Sequence, residues 1–340
     1  MTKVRWGMIG VGSVATYKSG PAFQLAQGGT LVGVASRRAA AAEAFARAND
    51  VPIAFSTPLD LINSSEIDAV YVATPPSSHV QFAVEVAKAG KPCCIEKPMS
   101  VRYRDAQAAV ETFNAASLPL FVSYYRRSLP RFKKVTEWLK SNKIGLAREV
   151  HWKLSRVYSA PVNKIPWRMS TTEAPGGIFE DLACHGLDLF DYMFGPISDI
   201  ESAHLESNPE TLIPDRVRAR WRHGKEIIGT GDWNFAATQR VDSVTVVGTR
   251  GHIKFSMFDE MPVVLHGREG PASLMIKNPN PIQLPHVEAM NTHLAGGSHH
   301  PSTAHSAIRT ALATEVIVHG SSAELSGIRL AQERAAAHAP

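Results

Sequence analysis

Two short stretches carry side chains able to move a proton. Glu96-Lys97-Pro98 follows the apolar run 92–95, and ligands of doubly wound sheets bind at the carboxyl ends of such strands. A lysine there can hydrogen-bond a substrate hydroxyl or carbonyl, and the proline after it restricts its backbone. Asp181 and His185 lie four residues apart in Gly176-Gly177-Ile178-Phe179-Glu180-Asp181-Leu182-Ala183-Cys184-His185, so they share one helix face. Leu182, Leu187, Leu189 and Phe190 are expected to form the opposite, core-facing side. A polar pair set among core residues needs partners. Three readings fit it: an acid–base histidine beside a carboxylate, a shared metal ion, or a satisfied structural pair near a helix start. His299, His300 and His305 offer no third ligand at convincing spacing, so no metal is expected.

A third stretch is built for phosphates. Gly10-Val11-Gly12-Ser13-Val14-Ala15 is a G-x-G-x-x-A turn between a strand-like and a helix-like run. The first glycine permits the tight turn, and the second lets the backbone approach a pyrophosphate. Ala15 lets helix and strand pack closely. The helix start at Ser13 and Val14 supplies unpaired N–H groups and the positive dipole end. About twenty residues further on, an acidic residue would grip the ribose 2′-hydroxyl of NAD. Here the second strand ends in Val34-Ala35-Ser36-Arg37-Arg38, and no carboxylate comes before Glu43. Ser36, Arg37 and Arg38 suit a 2′-phosphate, so NADP(H) is the expected cofactor and NAD(H) is left open.

The elements that must hold these groups alternate in the first third. Strand-like runs at 4–9, 31–35, 68–73, 92–95 and 120–124 are separated by helix-like runs at 13–27, 39–48, 77–89 and 101–116. Gly20-Pro21 is expected to interrupt the first helix, and Ser100 to cap the last. This rhythm predicts βαβ units and a parallel sheet covered on both faces. After Tyr125 a helix at 130–140 gives way to strand-like runs at 147–158, 197–206, 215–222, 227–235, 241–248 and 252–257, with one helix at about 179–193 among them. Two helices, near 286–294 and 303–318, follow. The fold class predicted is α/β: a Rossmann parallel sheet over 1–123, then an α+β substrate and oligomerisation domain over 124–340 with a large, mostly antiparallel open sheet. Val217, Trp221, Ile228, Trp233, Phe235, Val244 and Val246 are apolar positions of that sheet; an apolar exposed face is expected to make it a homodimer or homotetramer interface, the alternative being that all of them point to one core face with polar residues outward.

Composition sets the outer limits. A chain of 340 residues, 44% hydrophobic and 20% charged, fits two globular domains rather than a disordered protein. The net charge of +5 is mild and its basic residues are mostly dispersed, which argues against nucleic acid as a partner. No apolar run approaches the length of a membrane span, and the first residues show no signal-peptide pattern. Three cysteines make no disulfide framework, so a reducing cytoplasm is expected.

These motifs together resemble the glucose–fructose oxidoreductase / inositol dehydrogenase (Gfo/Idh/MocA) family over nearly the whole chain. The resemblance rests on Gly10 to Ala15, Thr74-Pro75-Pro76-Ser77-Ser78-His79, Glu96-Lys97-Pro98, Tyr124-Tyr125-Arg126-Arg127, Trp167-Arg168, and the run from Gly176 through Asp181 to His185. It implies a catalytic trio of Lys97, Asp181 and His185. It also implies cofactor contacts from Thr74, Pro75, His79, Glu96 and Lys97, with Trp167-Arg168 reaching back to the cofactor. The pattern at Ser36 is similar to that of NADP-using anhydrofructose reductases. Three departures stand out: Thr74-Pro75-Pro76 replaces the more usual Thr-Pro-Asn, Tyr125 stands where many members have asparagine, and two glycines replace three before the helix. The activity implied is hydride transfer between NADP(H) and a CH–OH or carbonyl carbon of a small carbohydrate-like molecule. The alternatives are a non-catalytic NAD(P)-sensing regulator of the same fold and a metal-dependent hydrolase or lyase.

Overall fold

The computed structural model describes residues 3–157, 170 and 174–320. The helices are α1 (Gly20–Leu25), α2 (Ala39–Ala48), α3 (Pro58–Asn63), α4 (His79–Lys88), α5 (Tyr103–Ala115), α6 (Pro130–Lys140), α7 (Gly177–Phe194), α8 (Leu284–Leu294) and α9 (Ala304–His319). Contacts divide the chain into two units, Met1–Leu129 with Pro279–Ile308, and Pro130–Asn278 with Arg309–Pro340. Among the described residues no helix is long and apolar enough to cross a membrane.

The first unit holds β1 (Val4–Ile9), β2 (Gly29–Ala35), β3 (Ile53–Phe55), β4 (Ala69–Val72), β5 (Cys93–Ile95) and β6 (Leu120–Val122). All pair in parallel, in the order β3-β2-β1-β4-β5-β6. β4, β5 and β6 are buried at every position, as a sheet covered on both faces requires. Gly20-Pro21 does not break the first helix. The chain widens into a π-helical turn over Ala15–Ser19, where the Gly20 N–H donates to the Ala15 carbonyl, and Pro21 then starts α1. Proline is tolerated at a helix start because it has no N–H to lose there. Ser100 is not a helix cap: α5 begins after Arg102, and the Ser100 hydroxyl donates to the Arg102 carbonyl at 2.7 Å.

Contacts draw the division differently from the expected boundary at 123. The first unit runs to Leu129 and regains Pro279–Ile308. The reason is apolar: Val287 and Met290 of α8 are fully buried in one cluster with Trp6, Phe23 and Tyr71. Asn291 adds polar ties, accepting from Trp6 Nε1 at 2.8 Å and donating to the Gln27 carbonyl at 2.7 Å.

The second unit holds β7 (Ala147–Val157), β8 (Ile197–Ser207), β9 (Pro214–His223), β10 (Ile227–Asn234), β11 (Ala236–Gly248), β12 (Gly251–Phe255), β13 (Val263–Gly267) and β14 (Gly270–Leu274). Their order is β14-β13-β12-β11-β7-β10-β9-β8. β7 and β10 run parallel, and the other neighbours are antiparallel. Trp152 and Trp233 pack edge-on to Phe190 and Phe179 of α7, while Trp221 stacks on Phe190. Gly186 is required here, because a Cβ would sit 2.2 Å from the Trp152 ring.

The expected apolar outer face is absent. Val217, Trp221, Trp233, Phe235, Val244 and Val246 are buried, and Ile228 is half-buried. Because strand side chains alternate, the positions between them carry charge: Arg218 pairs with Glu206, and Arg220 and Arg222 with Glu201. The two-sided picture of α7 is corrected as well. Every residue from Gly177 to Asp191 is buried except Leu182. Two of its buried carboxylates have their partners on α9: Asp191 is bidentate to Arg309 at 2.6 and 2.8 Å, and Asp188 accepts from the Thr310 hydroxyl at 3.5 Å.

Candidate active site

The glycine turn sits between β1 and the first helix, at the carboxyl edge of the parallel sheet. Gly10 has φ +99°, and a Cβ there would lie 2.7 Å from the Ala73 carbonyl oxygen. Gly12 differs. A Cβ on it would meet nothing within 4 Å, so the space beside the exposed Ser13 is open. That space, next to a helix start, fits a pyrophosphate. The Gly10 N–H donates to the Ala35 carbonyl at 2.9 Å, which fixes the end of β2 beside the turn. Ser36 follows, half-buried, and Arg37 and Arg38 are exposed. Glu43 lies in α2 with Arg47 at 3.7 Å. The residues present therefore fit a dinucleotide.

Two loops at the same sheet edge are joined by His79. Its Nε2 lies 2.7 Å from the Thr74 carbonyl and its Nδ1 2.9 Å from the Pro98 carbonyl. Burial holds its pKa below the usual imidazole range, and a neutral ring donates to one carbonyl at a time. At 1% exposure His79 has no surface left for a ligand. It fastens the Thr74-Pro75 loop to the Lys97-Pro98 turn, whose peptide is cis. Thr74 and Pro75 themselves are half-buried.

Glu96 is likewise buried support. It accepts from the Tyr71 hydroxyl, from Gln283 Nε2 at 3.0 Å and from the Lys97 backbone N–H at 3.1 Å. The Lys97 side chain is half-buried.

In the second unit, Asp181 and His185 are buried one turn apart on α7, at 7% and 4% exposure. The His185 ring meets Phe258 edge-on, with centroids 6.0 Å apart. Phe258 is held by Asp242, whose carboxylate accepts from the Phe258 N–H at 2.6 Å, the Asp259 N–H at 3.3 Å and the Ser256 hydroxyl. Among the described residues no group of three or more His, Cys, Asp and Glu side chains could hold a metal ion.

The comparisons with known proteins follow this geometry. Residues 4–124 match the oxidoreductase family model with an NAD-binding Rossmann fold, and 132–254 match the GFO/IDH/MocA C-terminal domain. The chain is 34% identical to Oxidoreductase P35 of Formosa agariphila over 84% of its own length and 89% of that protein. The chain belongs to the GFO/IDH/MocA family. As a GFO/IDH/MocA member it is an NAD(P)-dependent dehydrogenase or reductase acting on CH–OH groups. Another relative, the 1,5-anhydro-D-fructose reductase of Ensifer adhaerens, is 24% identical over 81% of this chain and 84% of its own. A solved putative NADPH-dependent oxidoreductase from Desulfitobacterium hafniense shares the fold, with TM-score 0.86 at 17% identity over 97% of this chain and 99% of its own.

Trp167 and Arg168 lie outside the described residues of this GFO/IDH/MocA chain. The structure gathers Gly10, Gly12, Ser13, Val14, Ser36, Thr74, Pro75, His79, Glu96 and Lys97 into the first unit, and Asp181 and His185 into the second. Sequence reasoning missed Tyr71, Gln283 and Phe258. Tyr71 sits inside the strand-like run 68–73 and Phe258 belongs to no motif. Gln283 carried no signal, since nothing local ties it to a carboxylate 187 residues away.

Proposed function

We propose that the protein oxidises or reduces a hydroxyl-bearing or carbonyl carbon of a sugar, sugar derivative or cyclitol, with NADP(H) preferred over NAD(H). The observation that carries the cofactor choice is the end of β2. Ser36, Arg37 and Arg38 stand beside the glycine turn without a carboxylate among them. A carboxylate there would repel a 2′-phosphate, whereas guanidinium groups pair with it. The substrate class is supported by the relative named 1,5-anhydro-D-fructose reductase.

The nicotinamide supplies or accepts the hydride when bound. Gly12, Ser13 and Val14 would hold the pyrophosphate through backbone N–H groups, with Gly10 making the tight turn that presents them and Thr74 and Pro75 lining the same edge. Lys97 polarises the reacting oxygen with its ammonium. His185 takes the hydroxyl proton in oxidation and returns it in reduction, a task suited to an imidazole. Asp181 orients His185 or binds a neighbouring hydroxyl. Glu96 and His79 act behind these groups, holding the Lys97 turn. Trp167 and Arg168 keep the role that the family pattern gives them, a reach toward the cofactor. Association as a homodimer or homotetramer through the second sheet would use its outer ion pairs rather than an apolar patch. The test is NADPH oxidation across a panel of ketoses, anhydrosugars and inosose-type ketones. Turnover with at least one class supports the reading, and NADPH binding without turnover across the panel contradicts it.

A further inference from the structure

Arg156 lies near the end of β7, on the same side as Trp152 and Leu154, the side that packs on α7. It is half-buried. Its guanidinium lies over the Phe258 ring, 5.7 Å from the centroid, and that ring also meets His185. Asp181 is close enough to act on Arg156 electrostatically. Arg156 therefore shares its surroundings with both members of the buried polar pair.

The arginine makes no hydrogen bond or close ion pair among the described residues. Two of the carboxylates that act on it are committed elsewhere. Asp259 pairs with Arg240, whose Nε donates to it at 3.1 Å. Asp242 accepts from the Ser256 hydroxyl, from two backbone N–H groups and from Trp152 Nε1. Burial, opposed by too little compensating charge and aided by the repulsion of Arg240, lowers the Arg156 pKa. Holding a guanidinium half out of water without a fork-matched acceptor is unfavourable, and an incoming anion would relieve that cost.

We propose that Arg156 determines substrate specificity by pairing with a carboxylate on the substrate, making a sugar acid the preferred class. This rests on reading Asp181 and His185 as the substrate-handling pair. A planar carboxylate matches the guanidinium fork, and its single negative charge balances the single positive one. A dianionic phosphate would leave excess negative charge near Asp181. The Phe258 ring beneath the guanidinium closes off one side of it and so narrows the directions from which a carboxylate can be met.

The test pairs uronates with neutral aldoses in the intact protein: D-glucuronate with D-glucose, and D-galacturonate with D-galactose, each with NADP+ and NAD+. Glucose 6-phosphate forms a third arm. Calorimetry with NADP+ present compares gluconate with glucitol and galactonate with galactitol, which reads binding independently of turnover. The expected result is a preference for the acids of about tenfold or more, lost in Arg156→Leu while the neutral sugars change by less than about threefold. Arg156→Lys, which keeps the charge without the fork, retains part of the preference. Absence of an acid preference across all pairs overturns the proposal, as does an equal loss for acids and neutral sugars in Arg156→Leu. A stronger preference for glucose 6-phosphate overturns the carboxylate assignment. His185→Ala separates the two readings: if it turns over normally while the calorimetric acid preference persists, the catalytic role of His185 falls and the Arg156 site stands.

Discussion

Gln283 and Glu96, 187 positions apart, are hydrogen-bonded at 3.0 Å inside the first unit. Gln283 is 1% exposed, so its amide has no water to turn to. The bond ties the returning segment to the residue whose carboxylate also accepts the Lys97 N–H. Gln283→Leu removes one donor from a buried carboxylate and should cost about 1–3 kcal/mol of stability. Urea unfolding measures this directly. A Gln283→Leu protein as stable as wild type would show that the bond contributes nothing.

The two glycines of one turn should fail in different ways. Gly10 has a positive φ and no room for a Cβ, so Gly10→Ala should lose about 1–3 kcal/mol of stability. Gly12 has open space around it, so Gly12→Val should keep the wild-type melting temperature and lose NADPH binding, because the side chain occupies the place of the pyrophosphate. Melting curves and NADPH fluorescence titration check both. Normal titration by Gly12→Val contradicts the phosphate assignment.

Much of this architecture was legible in the residues. Val4–Ile9, read as the first strand, is β1, because a short apolar run ending in glycine admits few other structures. The glycine turn and the Asp181–His185 spacing were equally plain, since each is local. The misses share a physical cause: they depend on contacts between distant residues. α8 was read as a helix of the second domain, while its Val287 and Met290 pack around Trp6 and Phe23, a contact no local pattern announces. The outer face of the second sheet was misjudged because a list of apolar strand residues does not state their parity. Alternation puts Trp221 inward and Arg220 and Arg222 outward. His79 and Glu96 were read as cofactor contacts; their side chains are buried and hydrogen-bonded to the Thr74, Pro98 and Lys97 backbone, ties between distant loops that the sequence does not announce.

The histidines of the returning segment predict acid sensitivity. His286 and His300 meet at 4.7 Å between ring centroids, packed against Cys94 and Phe121. Burial drives the His286 pKa well down, and it lowers His300 to about 4 from the usual 6.5. Both are bases whose folded pKa is depressed, so below pH 6.5 the unfolded chain binds protons that the folded chain refuses. Stability is therefore complete above that point and falls toward pH 4 by at most about 1.4 kcal/mol per pH unit for each histidine. His286→Phe should reduce the drop in melting temperature between pH 7 and pH 5 relative to wild type. An unchanged drop would remove His286 from the acid response.

Lys97→Met and His185→Ala should each lower turnover by about a hundredfold or more, the scale of a lost general acid or base. NADPH affinity should change far less, since neither substitution touches the glycine turn. Steady-state kinetics beside fluorescence titration separate the two effects. Near-normal turnover in either variant would take that residue out of the chemistry.

The central claim is an oxidoreductase that reads the 2′-phosphate of its cofactor at Ser36, Arg37 and Arg38. Its most direct test is the ratio of kcat/KM for NADPH over NADH, measured at one ionic strength in wild type and in Ser36→Asp/Arg37→Ala/Arg38→Ala. The account predicts a wild-type preference for NADPH of about one to two decades, the scale of charge-assisted hydrogen bonds reduced by solvent exposure. It predicts that the triple variant shifts toward NADH, because attraction is removed and a repelling carboxylate added. A wild type that uses both cofactors equally or favours NADH would contradict it.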